Sequence, residues 1–251
     1  MTKKRKPRRQ EREDTKPLLK VTIDDSGVTT EADPKSKRTY VTVNAFAFAL
    51  NQAELRFKKL EALLMEFHTN QASEKTLGPQ QVTIDMGYEK RNEIVALAWD
   101  VIDWLERTRK IFGAITGVPK KNDFYSAIMK LLEPAETFRQ ILQHYDSEVV
   151  RRAVADMYPI MGSVIATYRL GDSWSGRVLL STPARFIGDK EVCVAGANFI
   201  ESGMKGDIDG ITLSVTNHAV NLSEILHGLK PEKMKLSGFL EQNYDFQWPS
   251  L

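Results

Sequence analysis

Apolar residues recur at steps of three and four over most of residues 44–156, and this spacing constrains the fold more than any other feature of the chain. In the first part of the region they fall on one side of a helix: Phe46, Leu50, Ala53, Phe57, Leu60, Leu64 and Phe67. A period near 3.6 residues is typical of an amphipathic α-helix with one buried face. We therefore expect a first helix over 44–72, with Asn44 as its N-cap.

The same period predicts three further helices, over about 89–115, 122–132 and 134–156. Gly113, Gly117 and Pro119 end the second helix of the four. Pro134 suits the first turn of the last one, where a missing N–H costs nothing. Four amphipathic helices with connections of modest length predict an antiparallel four-helix bundle over residues 39–157.

The pattern changes after Pro159, where short apolar runs alternate with turn signals. The runs cover 160–170, 178–187, 192–200 and 211–215, and glycine-containing turns separate them, including one over 206–210. Such runs predict three or four antiparallel strands, with Trp174 in a hairpin loop. Asn221 followed by Glu224 resembles a capping box and predicts a short helix over 222–229. Residues 158–251 are therefore expected to form a small β-rich C-terminal module with short helices.

The first residues of the chain are strongly basic. Nine basic groups against three acidic ones give residues 1–20 a net charge of +6, and because the whole chain carries +2, the rest carries −4. A segment with so little apolar content cannot bury enough surface to offset the entropy of ordering it. We expect residues 1–38 to be a mostly disordered basic tail in an α+β protein, with room for one short strand that ends at Ile23 before a turn over 24–27. Its candidate RNA-binding residues are Lys3, Lys4, Arg5, Lys6, Arg8 and Arg9.

Composition limits the compartment and the cofactors. The single cysteine, Cys193, cannot form an internal disulfide, and no apolar run is long enough to span a membrane or to follow the basic N-terminus as a secretory signal. We therefore expect a cytoplasmic protein without a membrane span. The sequence contains no zinc pattern, phosphate loop or dinucleotide loop, so no metal or cofactor is predicted.

One segment of the predicted fourth helix carries side chains suited to chemistry on phosphates. Arg139 and His144 lie about 140° apart around the helix, on the two flanks of its apolar face. Gln140 lies one turn before His144 and Glu148 one turn after it, so either side chain is placed to orient the imidazole. An alternative without chemistry is a surface arginine and a half-exposed histidine beside a helical core.

This arginine–histidine spacing late in a helical bundle resembles the Arg-x4-6-His signature of HEPN domains (higher eukaryotes and prokaryotes nucleotide-binding). The resemblance implies a dimeric helical bundle over about 42–156 and metal-independent cleavage of RNA by its own 2′-hydroxyl. Arg139 would hold the scissile phosphate, and His144 would transfer a proton, supported by Gln140 and Glu148. The resemblance does not extend to residues 160–251.

Two hypotheses in which the protein is not an enzyme stay open. In the first, the protein is an interaction or scaffold protein whose bundle dimerises or docks a partner, with the C-terminal module as a surface for a protein partner. In the second, the basic tail alone binds nucleic acid.

Overall fold

The computed structural model describes residues 23–24, 27–28, 34–71, 88–143, 161–170, 174–181, 207–215 and 218–244. The helices in these ranges are α1 (Pro34–Gln71), α2 (Tyr88–Ala114), α3 (Asp123–Gln143) and α4 (Leu222–Tyr244). The strands are β1 (Ile23–Asp24), β2 (Gly27–Val28), β3 (Ser163–Leu170), β4 (Trp174–Ser181), β5 (Asp207–Val215) and β6 (His218–Asn221). Helices together with an antiparallel sheet confirm the α+β class.

Helix α1 begins ten residues earlier than its sequence pattern predicts. Thr39 is buried, and its Oγ1 donates to the carbonyl oxygen of Thr116 at 2.6 Å, which fixes the first turns of α1 against the chain after α2. Asn44 is therefore not an N-cap, and its Nδ2 donates to the carbonyl of Tyr40 inside the helix. Residues 34–38, within the predicted mostly disordered tail, are helical. Ile23 lies in β1, which pairs with β2 across a turn, as expected for a short strand that ends before Gly27. The remainder of residues 1–33 lies outside the described residues.

Helix α3 runs without a break through Pro134, so the predicted division into helices over 122–132 and 134–156 is wrong. A proline inside a helix removes one backbone hydrogen bond. Burial of Leu132, Ala135 and Phe138 continues one apolar face across the proline and offsets this cost. The described part of residues 39–157 thus contains three helices, and residues 144–157 lie outside it.

The larger sheet has the strand order β4-β3-β5-β6, with every neighbouring pair antiparallel. Trp174 pairs with Leu170, so it is the first residue of β4 and not part of the hairpin loop. The predicted turn over 206–210 is instead largely strand, because the register shift between β3 and β5 accommodates an extra residue at Asp209 as a bulge. The predicted strand over 192–200 lies outside the described residues.

Helix α4 follows β6 directly and begins at the predicted cap. The backbone N–H of Glu224 donates to Oδ1 of Asn221 at 3.1 Å. The helix does not end near Gly228 and Pro231 as predicted, because Leu236 and Leu240 extend its buried face. Gly228 packs so closely on α3 that a Cβ there would lie 2.8 Å from Cδ2 of Leu131.

Helices and sheet share one hydrophobic core. Inward residues of β3 and β5, such as Val164 and Leu213, belong to the same buried cluster as Phe46 of α1 and Phe112 of α2. Nε1 of Trp99 also donates to the carbonyl of Met161 just before β3 at 2.9 Å. The described sheet and helices therefore pack against each other through this core. The predicted domain boundary at residues 157 and 158 lies outside the described residues.

Candidate functional site

Arg139 lies near the C-terminal end of α3, with about one third of its side chain exposed (34%). Its Nη1 lies 3.4 Å from Oδ1 of Asp103 on α2. The neighbouring Gln140 is exposed. The sequence-predicted arginine is therefore on the surface, but it already has a carboxylate partner on another helix.

Asp103 joins Arg139 to a row of side chains that crosses three helices. Its Oδ2 accepts from Nε of Arg107 at 2.8 Å. The Arg107 guanidinium lies over the Trp104 ring, 4.9 Å from its centroid, and Trp104 meets Phe48 of α1 edge to face at 5.8 Å. A cation on an aromatic face is attractive, and the aromatic pair adds to it. The row is a continuous set of contacts from α3 to α1.

A second ion-pair cluster lies deeper between α2 and α3. Glu106 has only 5% of its side chain exposed, and both of its oxygens accept from Arg109, at 2.6 and 3.1 Å. Arg109 also binds Glu136 of α3 at 2.9 Å, and Lys110 lies 3.2 Å from Glu106. The hydrogen bond to Glu106 is the main cause that raises the pKa of Arg109. The charges at this interface are therefore satisfied within the molecule.

This arrangement bears on what Arg139 can bind. A phosphate reaching its guanidinium must compete with Asp103 and is repelled by that carboxylate. Arg107 shares the same carboxylate, which leaves one net positive charge on the three groups together. The geometry of Arg139 fits an ion pair between α2 and α3 better than an open phosphate site.

The other residues predicted for RNA cleavage or RNA binding are not in the described ranges. His144 and Glu148 follow the end of α3 as described, and the basic residues Lys3–Arg9 precede β1. The structure therefore brings together Arg139 with Asp103 and Arg107, and the pairing of Arg139 with His144 stays a prediction.

The outward face of α1 carries large apolar side chains that stay more than half exposed, although Phe48 contacts Trp104 of α2. Val41, Phe48 and Leu55 are 56%, 57% and 54% exposed. They recur every seven residues, and Ala62 continues the series as an exposed residue. We call Val41, Phe48, Leu55 and Ala62 the α1 stripe.

The α1 stripe is also free of charge over its central part. The positions that flank it between Val41 and Leu55 are uncharged: Asn44, Ala45, Asn51 and Gln52. Charged residues make up 27% of the whole chain. Depletion of charge around exposed aromatic and aliphatic side chains is typical of the centre of a protein interface. Large exposed apolar surface of this kind often marks an interaction site.

This surface was not predicted, because the predicted apolar face of α1 contains only the core residues. The signal was nevertheless present, since Val41, Phe48 and Leu55 lie on the opposite side of the helix from Leu50 and Phe57. Only the packed structure shows that the side chains of this second apolar series stay more than half exposed.

No family model, curated protein or solved structure matches this chain. The resemblance to HEPN domains consequently rests on the sequence motif alone. Among the described helices, none combines the length and apolar character needed to cross a membrane. Within the same ranges, no three His, Cys, Asp or Glu side chains converge where they could hold a metal ion.

Proposed function

We propose that this protein is a non-catalytic interaction protein that binds a helical partner through the α1 stripe. The observation that carries the proposal is the exposure of Val41, Phe48 and Leu55 at seven-residue spacing on a helix whose other side is fully packed. Residues seven apart lie almost on one line along a helix, so a second helix that lies along α1 would contact all of them. The sheet and α2 hold α1 in place, so the surface exists before a partner arrives and little ordering entropy is lost on binding.

Site-specific photo-crosslinking in cells tests this proposal. A benzophenone amino acid replaces Phe48 in one variant, Leu55 in a second and the exposed Lys130 of α3 in a matched control. We expect a discrete adduct from positions 48 and 55, its loss from the position-48 variant when Leu55→Glu is added, and none from position 130. Absence of adducts from the α1 stripe, or equal adducts from position 130, would overturn the proposal.

RNA cleavage by Arg139 and His144 is a second candidate. Two features favour it: the partial exposure of Arg139, and the net positive charge of Arg139, Arg107 and Asp103 together. In this reading Arg139 holds the scissile phosphate and His144, supported by Gln140 and Glu148, transfers the proton. The basic tail would recruit the RNA.

The test for this candidate is cleavage of single-stranded RNA in EDTA by the wild type and by His144→Ala, Arg139→Ala and Lys130→Ala variants. Catalysis predicts loss of cleavage for the first two, retention for the third and unchanged thermal stability for His144→Ala. Cleavage that persists in both His144→Ala and Arg139→Ala would exclude the assigned roles. Removal of residues 1–20 separates binding from cleavage, because it should remove only a steeply salt-dependent affinity.

A further inference from the structure

The α1 stripe is long enough for a second helix to lie beside it over several turns. Two helices that cross at about +20° stay in contact over several turns, so residues seven apart on one of them can all face the other. Val41 and Ala62 lie about 31 Å apart along α1 at the usual rise per residue. Phe48 lies within a stretch that has no charged residues along the stripe. A partner helix must therefore offer apolar side chains at matching intervals.

A second copy of this chain carries the same apolar series on its own α1, so no other surface is needed for the two copies to pair. We propose that two copies pair through their α1 stripes as an antiparallel homodimer, with the twofold axis beside Asn51 and Gln52. This inference rests on the proposed function, since it names the partner of the same surface. In this register, Phe48 of each copy lies opposite Leu55 of the other, and Val41 lies opposite Ala62. In such a symmetric pair both copies use the same surface, so a single self-complementary patch is enough.

The charges at the ends of the stripe are complementary in this register. Lys37 of one copy lies opposite Glu66 of the other at both ends of the seam. Lys58 and Lys59 lie opposite Ala45 and Asn44, which carry no charge. Opposite charges across an interface fix orientation and register.

The two simplest competing arrangements place like charges together. A parallel pair sets Lys37, Lys58 and Lys59 against their own copies. An antiparallel pair centred on Phe48 sets Arg38 against Lys58 and Lys37 against Lys59. Like charges directly opposite each other are unfavourable in either arrangement. The register centred beside Asn51 and Gln52 avoids both conflicts.

One helix against one helix is a small interface, so we expect a concentration-dependent dimer and not a permanent one. Sedimentation equilibrium of the full chain should show a mass that rises from 28.5 kDa toward twice that value as the concentration is raised from about 1 to about 200 µM. Phe48→Glu and Leu55→Glu should each weaken the dimer at least about tenfold, since each places a charge in an apolar layer. Met234→Glu is the matched control, because Met234 is 70% exposed on α4 and should leave the dimer unchanged.

Cysteine crosslinking tests the register. In a Cys193→Ser background, Val41→Cys protein is mixed with differently tagged Ala62→Cys protein and oxidised. Antiparallel pairing predicts a disulfide between the two proteins and little disulfide within either one alone. Disulfides that form in the Val41→Cys protein by itself would indicate parallel pairing and would overturn the proposed register.

Charge exchange tests the end contacts without touching the apolar layers. Lys37→Glu and Glu66→Lys should each weaken the dimer by about threefold to tenfold, and the double variant should regain most of the loss. Glu66 also binds Lys90 within the same copy, so a loss in Glu66→Lys alone could come from that contact. Recovery of the dimer in the double variant is therefore the decisive result.

A wild-type chain that stays at 28.5 kDa at the highest concentration would overturn the homodimer. The proposed function would survive that result if positions 48 and 55 still formed an adduct with another protein. Both proposals would fall together only if the chain is monomeric and the α1 stripe gives no adduct.

Discussion

The outward face of α1 and the outward surface across α2 and α3 belong to the same helical layer, yet they are built from different side chains. The α1 stripe carries four apolar residues, and the positions that flank it between Val41 and Leu55 are uncharged. The α2–α3 surface is a set of paired charges: Asp103, Glu106, Arg107, Arg109, Lys110, Glu136 and Arg139. Paired charges are satisfied in water and within the molecule, whereas exposed Phe48 and Leu55 gain free energy only when something covers them. The difference indicates where this protein binds a partner.

The largest expected effect is a difference in the free energy of unfolding between variants on the two sides of α1. Phe46 is buried to 1% exposure and its ring centroid lies 5.0 Å from that of Phe112, whereas Phe48 two residues later is exposed. Phe46→Ala should lower the free energy of unfolding by about 3–5 kcal/mol because it leaves a cavity. Phe48→Ala should lower it by less than about 1 kcal/mol in the monomer. Urea denaturation at low protein concentration measures both, and equal losses would contradict the assignment of Phe48 to an outward surface.

The next effect concerns the deeper of the two ion-pair clusters. Glu106→Ala should cost about 2 kcal/mol, because it removes charged hydrogen bonds from the mostly buried Arg109. Glu136→Ala is the control, since its side chain is 40% exposed and Arg109 then keeps Glu106. Denaturation curves for the two variants should differ clearly. A Glu136→Ala loss as large as that of Glu106→Ala would show that burial does not set the strength of this cluster.

A smaller effect is expected where Arg139 meets Asp103. Arg139→Ala and Asp103→Asn should each change the free energy of unfolding by less than about 1 kcal/mol, as is usual for exposed pairs. The difference from wild type should shrink further in 1 M salt, where screening acts over about 3 Å. Melting curves at low and high salt provide the measurement. A salt-independent loss above about 2 kcal/mol would show that Arg139 is a core structural residue.

The smallest effect is a pH dependence at Glu61, on the side of α1 that faces α4. Burial raises the pKa of Glu61, while the positive charges of His227, Lys230 and Lys58 act in the opposite direction. A raised pKa in the folded state means that the favourable contribution, present at pH below the unfolded pKa, is lost as the pH rises through the folded pKa. Glu61→Gln should therefore be slightly more stable relative to wild type at pH 7 than at pH 4.

Thermal melts of Glu61→Gln and wild type at the two pH values test this expectation, with Glu241→Gln as an exposed carboxylate control. A wild type that gains stability over Glu61→Gln between pH 4 and pH 7 would show that the neighbouring positive charges outweigh burial.

The spacing of residues along the chain was enough to show which side chains share a face of each helix. Phe46, Leu50 and Leu60 of α1 and Leu105 of α2 are buried as their spacing predicts, because a side chain's place around a helix follows from its number alone. The N-cap at Asn221 could also be predicted from the sequence, because its side-chain oxygen accepts from a backbone N–H only three residues away. The class α+β followed from these local periods.

Tertiary structure decided what depends on contacts between distant residues. The buried face that continues past Pro134 keeps α3 in one piece, and the hydrogen bond from Thr39 to Thr116 helps to place the start of α1 before the predicted cap. Packing also determined which apolar series of α1 is covered and gave Arg139 its partner on another helix. A helical period tells which side chains share a face, but only the neighbours brought together by folding determine whether that face meets protein or solvent.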